Sequence, residues 1–412
     1  MDRLSDAIFT RGPQAVDYQE RVDYSRLREY RRLRTEAAME AAGLDALLVF
    51  KDENVRYLTG LRPQLIAGKS GSLNGALFVP GRAPVLLCSS GDADRAQATM
   101  PWVGEVVPIP ILEERGLVDH VVSTVLRDLL ARTGLLSARV GLDLATQALH
   151  ESLRAALGDL RLVDGDPAMQ WARRIKGPDE LLLIEEATAI AEAVTQTAID
   201  AVGVGVRECE VAGEAMRTLY RLGGEYSHVT SPFVASGENM APPQRLATDK
   251  LIRSGDLVFI DIGAMANGYY GDMGRTVVCQ EPSRRQQEIF TAVHAGLSAG
   301  IAAMRPGATN KEVAEAIRAA AAEHGLGDRF LNLFIGHGVG MGSNEPPYIG
   351  EIFPGAEEVA LEPGMVFALE PLIWVPDVRG GGGVRIEDMV TVTERGARVI
   401  SRLPYDPRLL LS

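Results

Sequence analysis

Apolar and polar positions follow two regimes along the chain. Residues 24–43 (YSRLREYRRLRTEAAMEAAG) set apolar side chains among charged ones and stop at a glycine, which predicts an amphipathic helix. A short apolar run at 46–50 (ALLVF) reads as a buried strand. Strand-like runs recur at Gly75–Pro80 and Pro84–Leu87, and helical patterns return at Val118–Thr133 and Gln147–Leu157. Helix and strand alternate, so roughly the first 165 residues read as an α/β domain.

The pattern changes at Arg174–Glu180 (RIKGPDE), where Gly177-Pro178 breaks the preceding element. Pro178 suits the first turn of a new helix, with Asp179 and Glu180 facing its positive end, and that helix runs to about Val202. The chain therefore divides into residues 1–172 and 173–412. Further helices are expected at Glu208–Leu222, Ser283–Met304 and Lys311–His324, the last capped by Asn310. Strands are expected at Asp256–Gly263, Gly268–Cys279, Leu333–Gly336, Met365–Glu370, Val384–Thr393 and Ala397–Arg402. This mixture predicts an α+β unit, an antiparallel sheet under helices. Gly380–Gly383 reads as a flexible loop.

Charge and composition narrow the picture. The chain carries 42 Lys+Arg against 55 Asp+Glu, a net charge of −13, and no long basic run, which argues against a nucleic-acid partner. Hydrophobic residues make up 46%, ordinary for a globular protein and against global disorder. Its 3 cysteines, Cys88, Cys209 and Cys279, are far apart, which excludes a disulfide scaffold and a cysteine zinc site. The opening MDRLSDAIFTRGPQ lacks a secretion signal's apolar core, and no apolar run reaches the roughly 18 residues that span a bilayer. No membrane partner is expected, and the expected compartment is the cytoplasm.

The candidate chemistry lies in the second unit. Asp261 sits inside an apolar strand (LVFIDIGA), where a carboxylate costs several kcal/mol to bury unless paired or metal-bound. Asp272 follows after a glycine-containing turn, hairpin geometry that brings two carboxylates to one point. His337 is flanked by glycines in FIGHGVGM, Glu370 ends MVFALE, and Glu387 lies in VRIED. Four carboxylates and one imidazole form a hard, oxygen-rich ligand set suited to two divalent ions, Mn²⁺, Co²⁺, Fe²⁺ or Zn²⁺.

The order and flanking sequence of these five residues, in LVFIDIGAMANGYYGDMGRT, GHGVGMGSNEPPY, LEPGMVFALEP and GVRIEDMVTVTE, resemble the pita-bread metallopeptidase family of methionine aminopeptidase, aminopeptidase P, prolidase and creatinase. NVRYLTG at 54–60 resembles the N-terminal domain of the aminopeptidase P, prolidase and creatinase branch. The resemblance implies a C-terminal pita-bread fold behind a smaller α/β creatinase-type domain, and a homodimer acting on a small molecule or short peptide. It implies that Asp261 chelates one ion, Asp272 and Glu387 bridge the pair, and His337 and Glu370 bind the other, with manganese the first choice of metal. Arg385 matches a position that orients the ligands.

Two positions depart from the peptidase pattern. Gln244 and Asn344 stand where the peptidases carry catalytic histidines, and an amide cannot act as an acid or base at neutral pH. Either water and Glu345 substitute and Xaa-Pro hydrolysis survives, or the substrate is a different small amide or amidine. His228, in EYSHVTSPF, is either a replacement imidazole or a partly buried loop residue. Tyr269, Tyr270, Tyr348 and Trp374 are either core or wall residues, or a cation–π box for a methylated ammonium substrate.

The linker IKGPDE and the tail SRLPYDPRLL also look like those of a dimethylsulfoniopropionate lyase of the same fold. That lyase has an additional Asp where this chain has Gly263 and a catalytic Asp near the position of Asn344. The sequence therefore predicts a dinuclear-metal hydrolase cleaving a C–N bond, with a metal-dependent lyase as the alternative. A non-catalytic binding module ranks last, because such relatives normally lose metal ligands.

Overall fold

A computed structural model of the protein describes residues 22–63, 69, 71–229, 232–244, 246–329, 335–350 and 355–411. The opening segment read for a secretion signal and part of the strand expected at Leu333–Gly336 lie outside these residues. The chain packs as two units, one up to Arg173 and one from Arg174 onward. Among the described residues, no helix is long and apolar enough to cross a membrane.

The first unit opens with the expected helix, Tyr24–Ala42. Asp23 caps it by accepting from the Ser25 and Arg26 amides, and Gly43 ends it with a φ of 63°. Strands β1 (Ala46–Val49), β2 (Gly75–Phe78), β3 (Val85–Cys88), β4 (Glu105–Pro108), β5 (Arg139–Leu142) and β6 (Arg161–Asp164) form one mixed sheet in the order β4-β3-β2-β1-β5-β6. Leu48, Phe50, Leu77 and Leu87 are buried with Val118, Val122 and Leu126 of the helical stretch above them. That stretch is not one regular helix, because a π turn at Val122–Leu126 separates Arg115–Val121 from Arg127–Thr133. The NVRYLTG segment lies in a helix, Asp52–Thr59, ended by Gly60. Its fully buried Asn54 donates to Asp143 at 2.7 Å and accepts from Arg173.

In the second unit Pro178 starts the helix Pro178–Ala201, as its fixed φ favours. This helix and Glu208–Arg221 bury Ala191, Val194, Val211 and Leu219 against an antiparallel sheet of order β11-β8-β7. Its strands are β7 (Phe233–Ser236), β8 (Leu257–Asp261) and β11 (Gly274–Val278), and the short hairpin β9 (Ala264–Ala266) and β10 (Tyr269–Gly271) lies between β8 and β11 in sequence. Helices Arg284–Ala303 and Asn310–Glu323 cover a second antiparallel sheet, order β13-β12-β14-β17-β18, through Ile289, Val293, Ile317, Phe367 and Val390. Its strands are β12 (Gly336–Gly338), β13 (Glu345–Ile349), β14 (Val366–Leu369), β17 (Asp388–Thr393) and β18 (Gly396–Val399), and β15 (Leu372–Trp374) pairs with β16 (Gly383–Arg385). Two helical pairs on antiparallel sheets are the expected α+β arrangement.

Several local expectations are corrected. Thr309, not Asn310, caps the helix at Asn310–Glu323, because its hydroxyl accepts from Glu312 N while Glu312 returns a bond to Thr309 N. Asn310 instead ties β13 to the segment at 357–359 through Tyr348 O, Glu357 O and Val359 N. Gly380–Gly383 is not a loose loop. A Cβ at Gly380 would sit 2.1 Å from Gly255 O and one at Gly383 2.2 Å from Met240 O, so these glycines permit close backbone packing. The strands expected at Gly268–Cys279 and Val384–Thr393 each break in two, at Asp272–Met273 and at Ile386–Glu387.

The loop carrying Asn239 and Gln244 hangs on Glu208. This fully buried carboxylate accepts from Ser236 N and Oγ, Asn239 Nδ2, and Thr248 N and Oγ1. Glu208→Ala strands these donors, and a urea titration is expected to show a loss of about 3 kcal/mol or more.

Candidate metal centre

The breaks in the strands coincide with the acids. Asp261 ends β8, Asp272 lies between β10 and β11, Glu370 between β14 and β15, and Glu387 between β16 and β17. His337 lies on β12, where the register with β13 shifts between His337 and Gly338. In a continuous ladder successive side chains face opposite sides. A break or bulge re-aims one of them, and these interruptions are common beside active sites.

Asp261, Glu370 and Glu387 each offer an oxygen to a common point, and Asp261 shares a second such point with Asp272 and His228. His337 Nε2 stands 3.2 Å from Glu370 Oε1 and 3.8 Å from Asp272 Oδ2. All five predicted ligands are buried. Arg385 spans the cluster, with Nη1 donating to Asp261 Oδ2 at 2.9 Å and Nη2 lying 2.7 Å from Glu370 Oε2. Thr276 holds Arg385 by its backbone, donating to Arg385 O and accepting from Arg385 N. The sequence gives no sign of Thr276, because that contact joins residues 109 positions apart.

The electrostatics favour a bound cation. Four buried carboxylates against Arg385 leave a net charge of −3 before the imidazoles are considered. Burial pushes Glu387 well above the usual carboxylate range, and the charges of Asp272 and Asp261 add to it. Burial likewise lifts Asp261 from 3.8 to about 6. Burial also pushes Glu370 up, but Arg385 and His337 outweigh it and hold the group below its ordinary value. For His337, burial is outweighed by Glu370 and Asp272, which raise it. Asp261 Oδ1 and both oxygens of Glu387 have no hydrogen-bond partner although buried. Oxygens so placed are ready to meet a metal ion.

A stability prediction follows for protein stripped of divalent ions. An acid whose folded pKa exceeds its unfolded one stabilises the fold at low pH, and the contribution is lost as pH rises through the folded value. For Asp261 that window runs from 3.8 to about 6, with Glu387 extending it upward. The stripped protein is therefore expected to melt at a higher temperature at pH 5 than at pH 7. Protein loaded with metal is expected to show the reverse, because protons compete with the ion. Parallel melting curves for the two forms would rule this out.

The remaining candidates lie differently. Gln244 is exposed, its backbone N–H donating to Asn239 O, and Asn344 is exposed, its side chain accepting from Ser343. Glu345 is buried, accepts from Gly342 N at 2.8 Å and lies 3.4 Å from Lys176 Nζ, so both carboxylate oxygens are engaged. His228, partly buried in a bend, has Nε2 3.5 Å from Asp261 Oδ1. Of the aromatics, Tyr269 is buried and donates to Glu180 at 2.5 Å, while Tyr270 packs edge-on against Tyr226. The lyase's additional Asp has no room here, because a Cβ at Gly263 would lie 2.5 Å from His228 Nδ1.

Comparison with known proteins agrees with this geometry. Residues 183–394 match the model of metallopeptidase family M24, and residues 31–175 match the creatinase/prolidase N-terminal domain. An uncharacterized peptidase, YqhT, of Bacillus subtilis is 32% identical over 365 residues, 88% of this chain and 95% of that protein. An Xaa-Pro dipeptidase of Pyrococcus horikoshii is 30% identical, covering 88% of this chain and 94% of its own. The solved structure of an Xaa-Pro dipeptidase from Bacillus anthracis superposes with a TM-score of 0.77 at 26% identity, over 92% of this chain and 98% of that one. A buried carboxylate–imidazole cluster on this fold defines a metal-dependent hydrolase. The chain belongs to metallopeptidase family M24, in the branch with a creatinase/prolidase N-terminal domain, and has the pita-bread fold of its prolidase relatives.

Proposed function

We propose that the protein is a dinuclear-metal hydrolase that cleaves a C–N bond in an Xaa-Pro-type peptide or a small amide or amidine. The observation that carries this reading is the buried four-carboxylate cluster with its orphaned oxygens on Asp261 and Glu387. One divalent ion leaves a cluster of charge −3 still negative, whereas two leave it positive. Asp261 would hold one ion, His337 and Glu370 the other, and Asp272 and Glu387 would bridge them. Two such ions, when bound, polarise a carbonyl and activate water near neutral pH.

The chain's own groups prepare that site. His337 Nδ1 lies 3.1 Å from Gly338 O, a bond that fixes the Nδ1–H tautomer and leaves the Nε2 lone pair facing the cluster. Arg385 holds Asp261 and Glu370 in fixed orientations and favours the ionised form of Glu370. Glu345 anchors the loop bearing Asn344 through Gly342 N and Lys176, a positioning role. Manganese is the first choice of metal for this oxygen-rich set, with cobalt, iron and zinc able to fit. A homodimer is part of the reading, after the two-domain branch it resembles, and light scattering that returns the 44.3 kDa monomer mass would count against it.

The test is a screen of protein loaded with Mn²⁺ or Co²⁺ against Xaa-Pro dipeptides, creatine-like amidines, ectoine-like amides and sulfonium zwitterions. Two ions per chain and metal-dependent release of an amine are expected. Elimination from a sulfonium zwitterion alone would point to the lyase, and protein that takes up no divalent metal would be a binding module.

A further inference from the structure

We propose that His228 serves the metal centre as a fixed hydrogen-bond donor rather than as a sixth metal ligand. The inference rests on the metal-centre reading above and extends it to a residue outside the five ligands. The His228 side chain is only 7% exposed and stands among the acids, Nε2 at 3.5 Å from Asp261 Oδ1 and Nδ1 at 3.7 Å from Asp272 Oδ1. Proximity alone allows it to bind an ion together with Asp261 and Asp272.

The backbone decides otherwise. Gly263 N donates to His228 Nδ1 at 2.6 Å. A backbone amide can only donate, so Nδ1 must present its lone pair, and in a neutral imidazole the hydrogen then sits on Nε2. The lone pair is spent on Gly263 and the other nitrogen carries a hydrogen, so neither is free for a metal. Nε2–H instead lies 3.5 Å from Asp261 Oδ1, a buried oxygen with no other hydrogen-bond partner.

His337 has the opposite arrangement. Its Nδ1 faces a carbonyl, which can only accept, and so Nδ1 carries the ring hydrogen. The two imidazoles of the centre are thus set to opposite tautomers by opposite backbone groups, one as ligand and one as donor. This also accounts for glycine at 263, since a Cβ there would collide with the ring at 2.5 Å. His228 is a positioning residue. It orients Asp261 and adds an N–H donor to the carboxylate cluster.

Nitrogen-15 histidine spectra of the full chain, metal-free and loaded with ¹¹³Cd²⁺, test this, with His228→Gln assigning the resonance. The expected result is an Nε2-protonated His228 with no coupling to cadmium, and an Nε2–cadmium coupling at His337. Coupling at His228, or an Nδ1-protonated ring, overturns the proposal. Metal affinity gives a second readout. His228→Ala is expected to weaken Cd²⁺ binding about tenfold, at the low end for a residue that orients a ligand, with partial rescue by His228→Gln. Gly263→Ala should weaken binding similarly in the natural chain and add nothing in the His228→Ala background. Effects that multiply in the double variant also overturn it. Protein that binds no cadmium defeats the metal-centre reading instead, while the metal-free spectrum still reports the tautomer.

Discussion

Glu387→Gln is expected to abolish most hydrolysis while making the metal-free protein more stable. Glu387 is fully buried, and neither of its oxygens has a hydrogen-bond partner. Burial and the neighbouring charges of Asp272 and Asp261 already press it toward its neutral form. A neutral carboxamide of the same shape relieves that repulsion, so the stripped variant should melt higher than the stripped natural protein at pH 7. The same change removes the negative charge proposed to bridge two cations. Metal content should fall from two ions per chain to one or fewer, and turnover by about 10³-fold or more, roughly 4 kcal/mol of transition-state stabilisation. Elemental analysis, calorimetry and steady-state rates read the three quantities separately. A variant that keeps two ions and ordinary rates would exclude a bridging role. One that loses both activity and stability would indicate a structural role instead.

The pair Gln244→His and Asn344→His is expected to raise Xaa-Pro turnover, starting from weak or absent activity in the natural chain. Cleaving an amide requires a proton for a poor amine leaving group, and general acid catalysis typically contributes 10²–10⁴-fold. Neither a glutamine nor an asparagine can supply it. The simplest substitute, Glu345, is engaged by Gly342 N and Lys176. Both 244 and 344 are exposed, so imidazoles can be introduced there without overpacking a core. The gain should appear mainly in kcat, with metal content unchanged. If the natural protein already cleaves Xaa-Pro dipeptides at rates of order 10 s⁻¹, the missing histidines are not limiting, and the chain is a prolidase-like peptidase with a different proton route.

Much of this protein was legible without its fold. Helix limits at Tyr24–Ala42, Pro178–Ala201 and Arg284–Ala303 followed from capping residues and apolar spacing, which act over a few neighbours along the chain. The five candidate ligands stood out because an acid in an apolar strand is costly enough to require a reason, and their flanking sequence tied them to a family. Other features depended on residues brought together from far apart. Arg385 reaches Asp261 across 124 positions, and Glu208 holds a loop 28 to 40 positions away. Periodicity cannot report such pairings, because each partner has an unremarkable local pattern. The glycines at 380–383 looked like slack for the same reason, whereas the fold uses their missing side chains for backbone contact. His228 is the clearest case. The sequence identified an imidazole in a loop. Its place beside Asp261, and which of its nitrogens holds the hydrogen, were decided by the amide of Gly263, 35 positions later, which the tertiary structure brings to the ring.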